Sequence, residues 1–224
     1  MTKCRPIPIA LTALVALFSA AAALAFSNGM DMAQAHNHAE APAVTPKSVA
    51  LQMDMRKLWE DHITWTRLAI ISLEGNTPDT KATVARLLRN QADIGNAIKP
   101  FYGKAAGNAL TAKLREHILI AADVIAAAKA GDKAKLADAQ ARWAKNADGI
   151  AAFLSKANPK NWPLGMMKAD MRTHLALTTA EAVAHLQGKW AADVAAYDRV
   201  HINILGMADM LTSGLIQQFP QRFN

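Results

Sequence analysis

The chain has 224 residues, a formal net charge of +7 and a single cysteine, Cys4. One thiol placed ahead of the first apolar run excludes an intramolecular disulfide, a cysteine metal cluster and a cysteine nucleophile in the body of the protein. Lys and Arg are interspersed with Asp and Glu instead of clustering with aromatic residues, so the positive balance does not read as nucleic-acid binding.

In chain order, Lys3 and Arg5 precede an apolar run from Ile7 to about Phe26, and Ala23-Leu24-Ala25 and Ala33-Gln34-Ala35 offer small-residue cleavage sites. That layout predicts a secretory signal peptide over 1–35, cleaved after Ala25 or Ala35. The mature protein would be periplasmic or secreted, with no membrane span left. Residues 36–47, HNHAEAPAVTPK, read as a polar linker. Cleavage after Ala35 would make His36 the free N-terminus and His38 the third residue, a set of amine, amide nitrogens and imidazole suited to square-planar Cu(II). The other reading of the linker is a plain tether.

From 48 to 224 the sequence predicts one all-α domain. Gly and Pro stops at EGNTPD, KPFYGKAAGN, KAGDK, KANPKNWPLG and LQGKW separate six helical stretches, roughly 48–74, 78–99, 106–130, 132–156, 165–187 and 189–218. No stretch alternates with period two. The glycines expected to end helices, Gly75, Gly131 and Gly188, are 56 and 57 residues apart, and His62, His117 and His174 are 55 and 57 apart. LWEDHITWTR, KLREHILIAA and DMRTHLALTT share a polar residue before His and an aliphatic one after it. The pattern predicts an up-and-down bundle of three repeated helical hairpins, the third diverged.

Counted from the hairpin glycines at about 1.5 Å per residue, His62, Gln91, His117, Asn146, His174 and His201 fall near one height. Helical-wheel phases place all four histidines on apolar stripes, which predicts a polar layer across the bundle. Such a layer needs partners, because an unsatisfied buried polar group costs about 1–3 kcal/mol. Three readings are open: a structural network, a metal site and a small-molecule pocket.

For a metal, the last two helices are richest. Asp198 and His201 lie one turn apart, His174 approaches at the same height, and Glu181 and His185 form a second pair at i and i+4. With His62 and His117 they compose an imidazole and carboxylate set suited to Zn, Cu or Fe. Paired Glu-x-x-His motifs of the ferritin-like di-iron type are absent, as is the Cys-x-x-Cys-His of covalent haem. The Met and Trp residues at helical spacing, Met55, Trp59, Trp65, Trp143, Met167 and Met171, read as core. Asp61, Asp93, Glu116 and Asp148 fall off the apolar stripes and read as surface.

LLRNQADIGNAIKPFYG, YDRVHINILGMADML and QQFPQRF resemble segments of an exported bacterial all-helical family. The resemblance implies a helical fold over most of 50–224 and carries no catalytic motif. Neither a Gly-rich phosphate loop nor a nucleotide-binding βα pattern is present. The expected function is non-enzymatic binding of a metal ion or small ligand in the cell envelope. The alternative is a structural or interaction module whose polar layer fixes helix register.

Overall fold

The computed structural model describes residues 44–224, and every described residue in regular secondary structure is helical. Five α-helices follow one another: α1 Pro46–Gly75, α2 Thr80–Ala130, α3 Lys133–Ala157, α4 Leu164–Leu186 and α5 Trp190–Gln218, with a 3₁₀ turn at Pro220–Arg222. The signal-peptide cleavage sites, His36 and His38 lie outside the described residues.

The helix ends have local causes. Thr45 caps α1 in a capping box with Ser48, and Pro46 occupies the first turn, where its missing N–H costs nothing. The helix therefore begins two residues inside the expected linker. Asp132 caps α3 by accepting from Lys135 N. Gly131 and Gly188 take φ of 69° and 68°, and each closes a Schellman-type end: Asp132 N donates to Ala127 O and Lys189 N to Ala184 O. At the first turn the left-handed residue is Asn76 (φ 50°), not Gly75, which is still helical.

The count of six separate helices is not what is found, because 80–130 is one element interrupted only at Gly103 (φ 84°, ψ 169°). Pro100 removes a helix donor just before it, and a glycine takes that φ without strain. The two arms of α2 nevertheless fold back on each other. Arg115 Nη1 donates to Leu88 O at 3.1 Å, whereas 27 residues of straight helix would separate them by about 40 Å. At the crossing, a Cβ on Gly95 would lie 2.6 Å from Gly107 O, and one on Gly107 would lie 2.5 Å from Gly95 O. Only glycine at both positions lets the arms approach so closely.

The helices close a ring: α1 packs on α2 and α5, α2 on α3, α3 on α4, and α4 on α5. Thr45 Oγ1 donates to Phe223 O at 2.6 Å, tying the start of α1 to the end of the chain. Met55, Trp59, Ile63, Ile94, Leu114, Ile150, Met171 and Ile204 belong to the main core inside this ring. Among the described residues no helix is long and apolar enough to cross a membrane.

Candidate functional site: a buried histidine layer

Three of the four expected histidines meet. His62 from α1, His117 from the second arm of α2 and His174 from α4 are each 4% exposed. The His174 ring lies 6.0 Å from His62 and 6.4 Å from His117, centroid to centroid. Gln91 is fully buried beside them, and its Nε2 donates to His62 Nδ1 at 3.2 Å and to Leu87 O at 2.9 Å. With Nδ1 accepting, the proton of neutral His62 sits on Nε2.

His117 has no free nitrogen. Trp143 Nε1, which can only donate, reaches His117 Nε2 at 3.1 Å. That fixes the proton on Nδ1, which donates to Asn146 Oδ1 at 2.8 Å. Asn146 is oriented in turn by its amide donating to Lys113 O and Glu116 Oε2. His117 is therefore a satisfied core histidine, excluded from the ligand set expected from its position.

His174 is the opposite case. Its Nδ1 is buried without a partner, as are Gln91 Oε1, Thr178 Oγ1 and Trp59 Nε1 nearby. Burial holds all three imidazoles neutral: the largest effect on each is loss of water, which pushes His62 down to about 3, His117 to about 4 and His174 well below the ordinary value. Their mutual proximity adds to the depression of His62 and His174.

Beside the layer lies a cavity of about 40 Å³ whose walls include the three histidines, Met55, Met171, Met207, Trp59 and Trp162. It extends from the histidines toward the end of the bundle where α5 finishes. The remaining wall is wholly aliphatic, made of isoleucines and leucines from α2, α3 and α5.

The other expected ligands are elsewhere. His201 stands level with His62, because its Nε2 meets Glu60 Oε2 at 2.7 Å, but its side chain is 37% exposed on the rim between α1 and α5. Asp198 is exposed. The inward stripe of α5 is Ala196, Val200, Ile204, Met207, Leu211 and Leu215, about 100° round from the stripe through His201. Asp209, on that outer stripe, pairs with Arg56 instead.

Glu181 and His185 join a separate polar cluster toward the opposite end. Arg67 Nη1 lies 2.8 Å from both Glu181 Oε1 and Asp193 Oδ1, and His185 Nδ1 lies 3.0 Å from Asp193 Oδ2. Arg67 is also 4.9 Å from the Tyr197 ring. Hydrogen bonding to Arg67 holds Asp193 low, burial raises Glu181, and burial with the charges of Asp193 and Glu181 pushes Glu74 up to about 8. Among the described residues no three His, Cys, Asp or Glu side chains are gathered to hold a metal. The donors this would require are already committed: His117 to Trp143, His201 to Glu60, and Glu181 to Arg67.

Arg67, Asp193, Glu74 and the Trp143–His117 contact were not legible as site residues. Asp193 reads as an ordinary acidic residue in a first helical turn. Trp143 reads as core, and its role depends on a helix 26 residues away in sequence. Comparison with known protein families, curated proteins and solved structures gives no match.

Proposed function

We propose that this is an exported, non-enzymatic binding protein of the cell envelope that holds a metal ion or another very small ligand beside the histidine layer. The observation that carries the reading is His174 Nδ1: a polar atom of a 4% exposed side chain, unpartnered, on a residue lining a cavity. Buried polar atoms are almost always paired, and His174 shares the cavity wall with two more side chains that carry an unpartnered nitrogen, Trp59 and Trp162, which supports the cavity as the place for an occupant.

Size limits that occupant. About 40 Å³ is enough for one or a few waters, which each need roughly 10–15 Å³ on this measure, and far below the about 150 Å³ cavity that admits benzene. Drug-sized ligands, which occupy about 300–1,000 Å³, do not fit. The repeated-hairpin reading has support from the αL glycines at 131 and 188 and from the antiparallel arms of α2. A purely register-fixing layer has one specific point in its favour, the complete satisfaction of His117.

The two readings predict opposite effects of His174→Leu. An orphaned imidazole kept for a ligand costs stability in the empty protein, so the apolar replacement leaves the empty protein as stable or more stable while abolishing occupancy. A register network loses stability on the same change. Elemental analysis and native mass spectrometry of parent and variant purified from the native compartment, with urea denaturation of both after ligand removal, decide between them. An empty parent and a destabilised variant would overturn the binding reading.

A further inference from the structure

We infer that the pole of the bundle where α1 begins and α5 ends docks on an anionic phospholipid bilayer, with lysines against the headgroups and aliphatic side chains at the acyl boundary. Four segments meet at this pole: 44–50, 99–107, 155–166 and 217–224. Hydrogen bonds fix them to one another. Thr45 Oγ1 donates to Phe223 O, Arg222 Nη1 to Pro100 O and Gln218 Nε2 to Ala157 O. The pole is therefore one surface built from both ends of the described chain, the α2 kink and the α3–α4 connection.

Charge sets this pole apart. Its four segments carry Lys47, Lys99, Lys104, Lys156, Lys160 and Arg222 and no Asp or Glu, in a chain with 18 acidic residues. All of these cations except Lys99 are exposed. The opposite pole is nearly balanced: its turns, 73–83, 127–137 and 184–194, set five lysines against Glu74, Asp79, Asp132 and Asp193. A basic surface is drawn to anionic lipid, each Lys or Arg close to the bilayer strengthening partition about fivefold, and salt screens the attraction.

Apolar exposure favours a bilayer over a nucleic acid. Val44 is 86% exposed, Leu164 44% and Met166 37%, so aliphatic side chains stand among the lysines. Such side chains suit the apolar boundary just beneath lipid headgroups. Unstacked bases would instead need open aromatic faces. The aromatic rings of this pole pack on each other: Phe101 lies 5.5 Å from Phe219 and 6.2 Å from Phe223, with Arg222 over its ring at 4.9 Å. The apolar run from Ile7 to about Phe26 also joins the bundle here, through Val44, so a chain threaded into a membrane by that run presents this end to the bilayer. Nothing in this docking depends on an occupant of the cavity.

The test is flotation of the protein, purified from its native compartment, with vesicles of phosphatidylglycerol and phosphatidylcholine and with vesicles of phosphatidylcholine alone. At low salt the parent should float with the anionic vesicles only, and about 0.5 M salt should release most of it. Lys156→Gln/Lys160→Gln should weaken binding at least tenfold, and Leu164→Ser/Met166→Ser about threefold or more. These side chains lie at the surface, so circular dichroism and melting should stay close to the parent's. If either double variant does not fold, Lys104→Gln on the α2 kink should alone weaken binding about fivefold. Trp190→Ser removes a 62% exposed indole at the opposite pole, about 40 Å away along α5, and should float as the parent does. Equal flotation with neutral vesicles, no flotation at low salt, or unchanged binding in a folded lysine variant overturns the assignment. So does binding that is lost with Trp190→Ser, or a parent that binds an oligonucleotide and ignores anionic vesicles.

Discussion

His62 and His201 occupy the same level of the bundle and differ in everything that sets the cost of removing them. His62 is 4% exposed, accepts from Gln91 and packs edge-on against Trp59 at 5.6 Å between ring centroids. His201 and Glu60 form a pair whose side chains are 37% and 45% exposed, a setting in which ion pairs contribute about 0–1 kcal/mol. His62→Ala should therefore lower stability by about 1–3 kcal/mol through a lost partner for Gln91, with further loss from the void. His201→Ala should cost less than about 1 kcal/mol. Urea denaturation of both variants checks this, and equal losses would mean that one of the two positions is misassigned. Trp143→Phe belongs beside them: it strips the donor from His117 Nε2 while keeping most of the ring, so a loss of about 1–3 kcal/mol is expected. A neutral result in the same assay would show that the indole bond does not hold His117.

At the scale of the helices, the tightest constraint is the crossing of the two arms of α2. A Cβ on Gly95 would stand 2.0 Å from Thr111 Oγ1 and 2.6 Å from Gly107 O. The hydroxyl could rotate away, but the carbonyl is backbone in an adjoining arm and cannot yield without separating the arms. Gly95→Ala should cost at least about 1–3 kcal/mol, the usual range for overpacking, although Ala is the better helix former by about 1 kcal/mol. A melting temperature at or above the parent's would show that the arms are not in contact there. The sequence signals for these elements were uneven for physical reasons. Helix ends at Gly131 and Gly188 were readable because a left-handed glycine acts within its own turn. Height was readable because rise per residue is constant, which is why His201 is level with His62. The phase of α5 was not: its buried stripe includes Ala196 and Ala208, weakly apolar, while the stripe through Asp198, His201 and Asp209 is stabilised by Glu60 and Arg56 on α1, roughly 140 to 150 residues away. A single-helix pattern contains no information about partners on another helix.

The molecule as a whole should lose stability as the pH falls through the histidine range, and the buried layer fixes the direction. His62 and His117 are pushed down to about 3 and 4 by burial, and His174 well below the ordinary 6.5, so the folded state keeps all three neutral where the unfolded chain takes up protons. Between the ordinary value and about pH 4 the unfolded state therefore binds more protons, and stability falls with falling pH. Each such proton is worth about 1.4 kcal/mol per pH unit, so three give a limiting slope of about 4 kcal/mol per unit. Glu74 acts in the opposite sense: its carboxyl is pushed up to about 8, so from about pH 4.5 to 8 the folded state holds a proton that the unfolded chain has released. It offsets up to one proton over that range, and the raised Glu181 adds a second opposing contribution in the same direction. Asp193, held low by Arg67, gives up its stabilisation only below the ordinary carboxyl range and leaves this window unchanged. Urea midpoints measured every half unit from pH 6 to 4 should give a net uptake of about one to two protons on unfolding, and His174→Leu should reduce it by about one. A flat profile over that range, or a His174→Leu profile identical to the parent's, would mean that the imidazoles reach water or charge in the folded state, and the buried neutral layer would be wrong.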